Sequence, residues 1–488
     1  MDNKPLDLSR REVMLLATGA LWSNRFPWKL SESMNTHSTR FKYRMLLGWV
    51  NDISPKPLQG KPWPDISIDS STVKDYKEYL RVAKDAGFNA FTVWGLYCSH
   101  AWPVPLRSPE LLERKKIVDQ ILEEARRQGI KALFGIGVYS WGFDEIIRAD
   151  PTCARNEGRI AYGQIHSDNG VAMCYHEPSA REWMRKIIDL CVKDFGAQGF
   201  GFQPADLGRC YCHECRLMSD AEYYIRVTNE TADYARSIKP DLLLGLSAWG
   251  VEIGGPIEST QRLAKGLDFV TDVSDQSEAK GHAFRSQLAK SLDCALGSLG
   301  GPVIVPPQRW NRVRWFFPTA GLTGSNIRSL AEDGGTAFEF FVSPLNNPQG
   351  ELMLHFVGDQ LRNPQDSVRS VLGRVVKKLL NPKDLAATNA VVDFLLSIES
   401  AYVTAAGPLS GGEFDFEPLE GAFAGPPIYL ERIKAENLGQ YRKAILESVD
   451  EVPHLAQLCR EPRLLSSIER CLNSVLADID VVQAGRGK

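Results

Sequence analysis

The sequence has little of what would assign it at sight. No run approaches the ~18 apolar residues that a membrane-spanning helix needs. Neither sign of charge prevails: 57 Lys and Arg against 60 Asp and Glu leave a net charge of −3. That balance removes any electrostatic case for a nucleic-acid partner or an anionic membrane surface. Cysteine is sparse, ten in 488 residues, which is too dilute for a disulfide scaffold. No internal repeat and no long low-complexity tract is present. What is there is a chain of 43% hydrophobic and 24% charged residues, ordinary for a globular protein and long enough to bury a large core without staples.

The first 40 residues stand apart. Ser9-Arg10-Arg11 precedes a short apolar stretch, Val13–Trp22. This resembles a twin-arginine signal, an address read by a receptor rather than an anchor. The expectation is export to the periplasm, the alternative being a cytoplasmic protein with a basic surface helix.

From residue 41 to 345 short apolar runs alternate with long helical patterns. The runs are 43–50, 88–97, 130–140, 197–204, 241–249, 267–273, 302–310 and 334–342. Between them lie amphipathic stretches such as 72–87 and 109–129, each closed by a glycine. Continuous apolar strands joined by helices imply a parallel sheet covered on both faces. Eight such units imply a (β/α)8 TIM barrel. The seventh run contains Pro306 and Pro307, which cannot donate to a ladder. Residues 346–488 read as a C-terminal α-helical region.

In such a barrel the chemistry sits in the loops after the C-terminal ends of the strands. The polar and aromatic residues there are Asn51 and Asp52, His100 and Trp102, Tyr139 and Trp141, Gln203 and Asp206, Trp249 and Glu252, Asp272 and Asp275, and Gln308, Arg309 and Trp310. Glu339 lies within the eighth run between two phenylalanines. A carboxylate in a buried strand must face a polar cavity or pair with a cation.

Residues 203–216 read QPADLGRCYCHECR. The C-x-C-x-x-C of Cys210, Cys212 and Cys215 presents three soft thiolates to one ion, and zinc takes four tetrahedral ligands. Cys174, in the neighbouring strand-3 loop, is placed to be the fourth, with His176 and His213 as alternatives. Four thiolates close the shell, so the Zn2+ would be structural and a zinc-dependent hydrolase is disfavoured.

The arrangement of Cys174 with 210-CYCHEC-215 resembles the zinc cluster of glycoside hydrolase family 42, the bacterial β-galactosidases. Residues 202–216 are more loosely similar to barrel proteins related to families 20, 67 and 163. The resemblance implies a carbohydrate substrate and a catalytic acid upstream of the cysteines, at Asp206. It fails at the Asn-Glu pair and at the strand-7 glutamate of family 42, where this chain has Ala205-Asp206 and Gln308-Arg309-Trp310. Glycosidic cleavage takes two carboxyl groups. With Asp206 as general acid, the second is Glu339, Glu252 or Asp275. Trp94, Tyr139, Trp141, Trp249 and Trp310 offer flat faces for sugar rings, Gln203 a polar contact, and Arg309 a fork for a uronate. The expected function is glycoside hydrolysis, the alternative an inactive barrel that binds a carbohydrate or a partner protein.

Overall fold

The computed structural model describes residues 41–486, save 57–65, 99–100, 141, 156–158, 161–171, 204–207, 247–256, 272–277, 301–315, 407–429 and 431–432. Eight parallel strands close into a barrel. They are β1 (Tyr43–Trp49), β2 (Ala90–Trp94), β3 (Lys131–Gly137), β4 (Gly199–Gln203), β5 (Leu243–Leu246), β6 (Phe269–Val270), β7 (Ala295–Gly300) and β8 (Ala337–Phe341). Each pairs with its neighbours in chain order, and β1 closes on β8 from Tyr43↔Ala337 to Leu47↔Phe341. Eight helices follow the strands: α1 (Ser70–Ala86), α2 (Pro109–Gln128), α3 (Pro178–Asp189), α4 (Asp220–Ile238), α5 (Ile257–Ala264), α6 (Glu278–Ser291), α7 (Ala320–Glu332) and α8 (Pro348–Arg362). The expected (β/α)8 TIM barrel with helices after it is the observed fold.

The seventh strand is displaced from its expected place. It is formed by Ala295–Gly300, whereas the expected run 302–310 lies outside the described residues. The run 295-ALGSLG-300 is too short of large apolar residues to read as a strand. Small residues suit the site: a Cβ on Gly297 would lie 2.8 Å from Ala337 and 2.9 Å from Thr271.

Side-chain alternation divides the barrel into layers. Met45, Ala90, Leu133, Leu243, Phe269 and Ala337 form an apolar plug of their own. Two residues further along the same strands come Leu47, Thr92, Gly135, Gly245, Thr271 and Glu339, and this next layer is far more polar. The residues either side of Glu339 face outward, where Phe338 meets Phe41 and Phe340 meets Phe88. The alternation in 337-AFEFF-341 thus places the carboxylate inside the barrel and the rings in the helix layer.

Local sequence signals act as written. Asp69 caps α1, accepting from the amides of Ser71 and Thr72. Ser108 caps α2 ahead of Pro109. Both helices stop at glycines in the left-handed region, Gly87 (φ 99°) and Gly129 (φ 66°), where a side chain would be strained. Beyond α8 the described residues include the helices α9 (Val368–Leu380), α10 (Leu385–Ala406), α11 (Ala435–Leu458) and α12 (Arg463–Arg486). One joint between them and the barrel is chemical. Buried Glu399 of α10 accepts from the amides of Gly321 and Leu322, each at 2.8 Å, at the N-terminus of α7. Those amides have no partner within their own helix. None of the helices among the described residues is long and apolar enough to cross a membrane.

Burial pushes the Glu399 carboxyl up from 4.5 to about 7, against the pull of the two amides. Between those values the folded chain holds a proton that the unfolded chain has released. Stability from this group is therefore full below the unfolded value and lost as pH rises through the folded one. Between about pH 5 and pH 8 the wild type should lose up to about 3 kcal/mol relative to Glu399→Gln, measured by urea unfolding at each pH. Parallel pH profiles for the two proteins would contradict this.

Candidate functional site

The interior layer centred on Glu339 is the first half of the site. Glu339 is fully buried and accepts from the Thr92 hydroxyl at 3.2 Å and from that of Thr271. Thr92 comes from β2 and Thr271 from the end of β6, so three strands converge on one carboxyl group. Sequence reasoning missed both threonines. Their signal was present, since a threonine two residues from an inward Ala90 or Phe269 must also point inward.

Trp94 ends β2 in register with Trp49, the two rings 6.0 Å apart. Its indole lies across Gly135 of β3, where a Cβ would fall 2.2 Å from both Cδ1 and Nε1. Glycine is needed there to let the ring in. Gln203 ends β4 and is buried. Its carbonyl accepts from the Val138 amide at 3.0 Å and the Ser140 hydroxyl at 3.1 Å, tying the ends of β3 and β4 together.

Tyr139 takes a positive φ of 61°, rare for a bulky residue, just past β3. Its ring meets that of Tyr175 edge-on at 5.7 Å. The Tyr175 hydroxyl in turn donates to Glu230 of α4. Burial raises the Tyr139 phenol well above its usual range, and the Glu230 charge adds to this. Trp102 stacks on Tyr97 at 4.6 Å and is buried. Asp52 is buried and accepts from the Trp49 amide at 2.8 Å. Asp206, Glu252, Asp275, Trp141, Trp249, Arg309 and Trp310 lie outside the described residues, as do His100, Asp272 and Gln308.

The second half of the site is the cysteine cluster. Cys174, Cys210, Cys212 and Cys215 are all fully buried, and their sulfurs lie within 4.8 Å of one another. Cys174 stands just before α3, its amide donating to the Cys153 carbonyl. Cys212 precedes a single helical turn, His213–Arg216, that carries Cys215. Two further ties bring these segments together. Arg159–Ile160 pairs antiparallel with Gly208–Arg209. Arg155 reaches Glu177 beside Cys174, and also Glu214 inside the cysteine run at 3.2 Å. Arg155 carries no motif that would have flagged it.

The donor set fits a metal ion. The sulfur of Cys174 lies 3.7 Å from that of Cys212 and 3.8 Å from that of Cys215. A tetrahedron with metal–sulfur bonds of ~2.3 Å has edges of ~3.8 Å. As bare sulfurs the four cannot all ionise. The Cys174 thiol drops to about 2 through hydrogen bonds from Cys210 and Cys215. Its contact then pushes Cys210 up to about 12, and Cys215 higher still. A divalent cation at their centre removes that conflict.

No family model matches the chain and no curated protein matches it. Solved structures do. A glycoside hydrolase family 138 enzyme targeting pectin rhamnogalacturonan II superposes with a TM-score of 0.55 over 90% of this chain and 71% of its own, at 8% identity. An O-GlcNAc hydrolase mutant from Thermobaculum terrenum gives a TM-score of 0.47 at 13% identity, over 90% and 82% of the two chains. The first of these likenesses is one of fold: this chain and that enzyme share a (β/α)8 barrel. The family 42 resemblance rests on the cysteine spacing alone.

Two glycine replacements should act with opposite sign. Gly135→Ala drives a methyl into the Trp94 indole and should cost about 1–3 kcal/mol, with a change in tryptophan fluorescence. Gly439→Ala, on an exposed helical position of α11 with nothing within 4 Å, should gain about 0.5–1 kcal/mol. Thermal melts of both variants check the pair.

Proposed function

We propose that the chain is a glycosidase that cleaves a glycosidic bond of a carbohydrate by carboxylate acid–base catalysis at the C-terminal mouth of its barrel. The observation that carries this reading is Glu339: an ionisable group at full burial, held by two hydroxyls, inside the polar layer of a glycoside hydrolase-type barrel. Asp206, three residues beyond the end of β4, is the proposed general acid. Protonation of the departing oxygen by such a group is worth about 100-fold or more. The partner carboxylate is Glu339, Glu252 or Asp275, serving as nucleophile or as the base for water. Arg309 and the aromatic residues Trp141, Trp249 and Trp310 are proposed to seat the sugar, together with Gln203.

The four cysteines are proposed to hold one zinc. With four thiolate ligands the ion supplies no Lewis acid to the reaction, and its binding energy contributes to folding of the rim. Its effect is to pin the loop after β3 to the loop after β4, the segment that contains Asp206. An export signal at Arg10 and Arg11 suits such a protein, since folded, metal-loaded chains pass that route.

A panel of nitrophenyl glycosides and plant polysaccharides tests the reading. Turnover of at least one is expected, falling by ~100-fold or more in Asp206→Asn with an unchanged melting temperature. Elemental analysis should find one zinc per chain. Cys212→Ser should lower both zinc content and melting temperature while leaving the helical circular dichroism in place. Full activity in Asp206→Asn would remove that residue from the mechanism, and four freely titrating thiols in the folded protein would remove the zinc.

A further inference from the structure

We propose that the indole N–H of Trp94 is a hydrogen-bond donor to a hydroxyl of the bound saccharide, inside the barrel and above Glu339, rather than a platform on which a sugar ring stacks. The inference rests on the glycosidase reading and specifies how its site recognises the sugar. Trp94 is 4% exposed, and its Nε1 has no hydrogen-bond partner. An indole nitrogen can only donate, and buried tryptophans ordinarily find an acceptor. Leaving such a donor unmade inside a protein costs stability, so its retention calls for a partner that arrives from outside.

The position of the ring says where that partner comes from. Gly135 belongs to the inward-facing layer, and the pyrrole edge of Trp94 occupies the space that a side chain at Gly135 would fill. The N–H therefore lies within the barrel, not in the helix layer. Thr92, two residues earlier on the same strand and facing the same way, holds Glu339. Trp94 thus stands one step nearer the mouth than the carboxyl group. The Gly135 backbone and the neighbouring Trp49 pack against its ring. The N–H is thus an unpartnered donor inside the barrel, close to the polar layer that holds Glu339. A sugar hydroxyl is suited to it, because it accepts from the indole and keeps its own proton to donate. Discrimination follows: an analogue lacking that hydroxyl leaves the indole unpaired and binds poorly.

The test uses the full chain labelled with nitrogen-15. Its 11 tryptophans give separate indole N–H resonances, and that of Trp94 is the one lost in Trp94→Phe. The probes are the methyl glycosides of galactose, glucose, xylose and glucuronic acid. A saccharide that binds should move the Trp94 resonance, and its affinity should fall about tenfold in Trp94→Phe. If that variant does not fold, the wild-type titration decides alone: binding without movement of any indole resonance overturns the inference. Binding with an unmoved Trp94 signal and equal affinity in the variant means that a trapped water satisfies the donor. That result overturns the inference and leaves the glycosidase reading standing. No binding by any of the four glycosides overturns the inference, while the glycosidase reading is decided by the polysaccharide panel.

Discussion

The enclosure of one carboxyl group at the centre of a parallel barrel constrains the rest of this fold. An acid taken wholly out of water must be hydrogen-bonded, at a cost of several kcal/mol otherwise. Glu339 meets that demand through Thr92 and Thr271, which lie on different strands. Strands β2, β6 and β8 must therefore hold their register around the barrel. A slip of one residue in β8 would turn Glu339 into the helix layer and bring Phe338 and Phe340 into the barrel. The apolar plug beneath, from Met45 to Ala337, supports the polar layer and closes the barrel at its other end.

Above that layer the ends of β3 and β4 are bound to one another several times over. The Gln203 carbonyl takes two donors from Val138 and Ser140. The Arg159–Ile160 ribbon, the Arg155 ion pairs and the four sulfurs repeat the connection further out. Ion pairs as exposed as those of Arg155 contribute little alone. The buried sulfurs would contribute more with a metal ion held among them. Tyr139, held in a strained backbone conformation, belongs to this assembly through Tyr175 and Glu230. The rim between these two strands is thus tied together at several points among the described residues.

Much of the fold could be read from the sequence because a (β/α)8 barrel repeats one simple rule. Most strands are apolar runs buried on both faces, and helices such as α1 and α2 end at marked caps, Gly87 and Gly129. The rule failed at β7, where close approach between strands demands Gly297 and leaves too little apolar signal. The cysteine cluster was legible from its spacing, since three thiols within six residues have few uses. Glu339 was legible because a charge inside a phenylalanine run needs a reason. Its threonine partners were not singled out, because threonine is common in strands for propensity alone. The orientations of Trp94 and Tyr139 depend on Gly135 and on one backbone angle, and tertiary packing decides both.

The proposed function requires water to attack an anomeric carbon at the barrel mouth. The direct measurement is mass spectrometry of products formed in oxygen-18 water from a polysaccharide that the protein degrades. The account predicts new reducing ends that each carry one oxygen-18 at the anomeric position, accumulating in proportion to enzyme. Unsaturated products without label would mean elimination instead of hydrolysis. Tight binding with no new chain ends would mean that the barrel holds carbohydrate without cutting it.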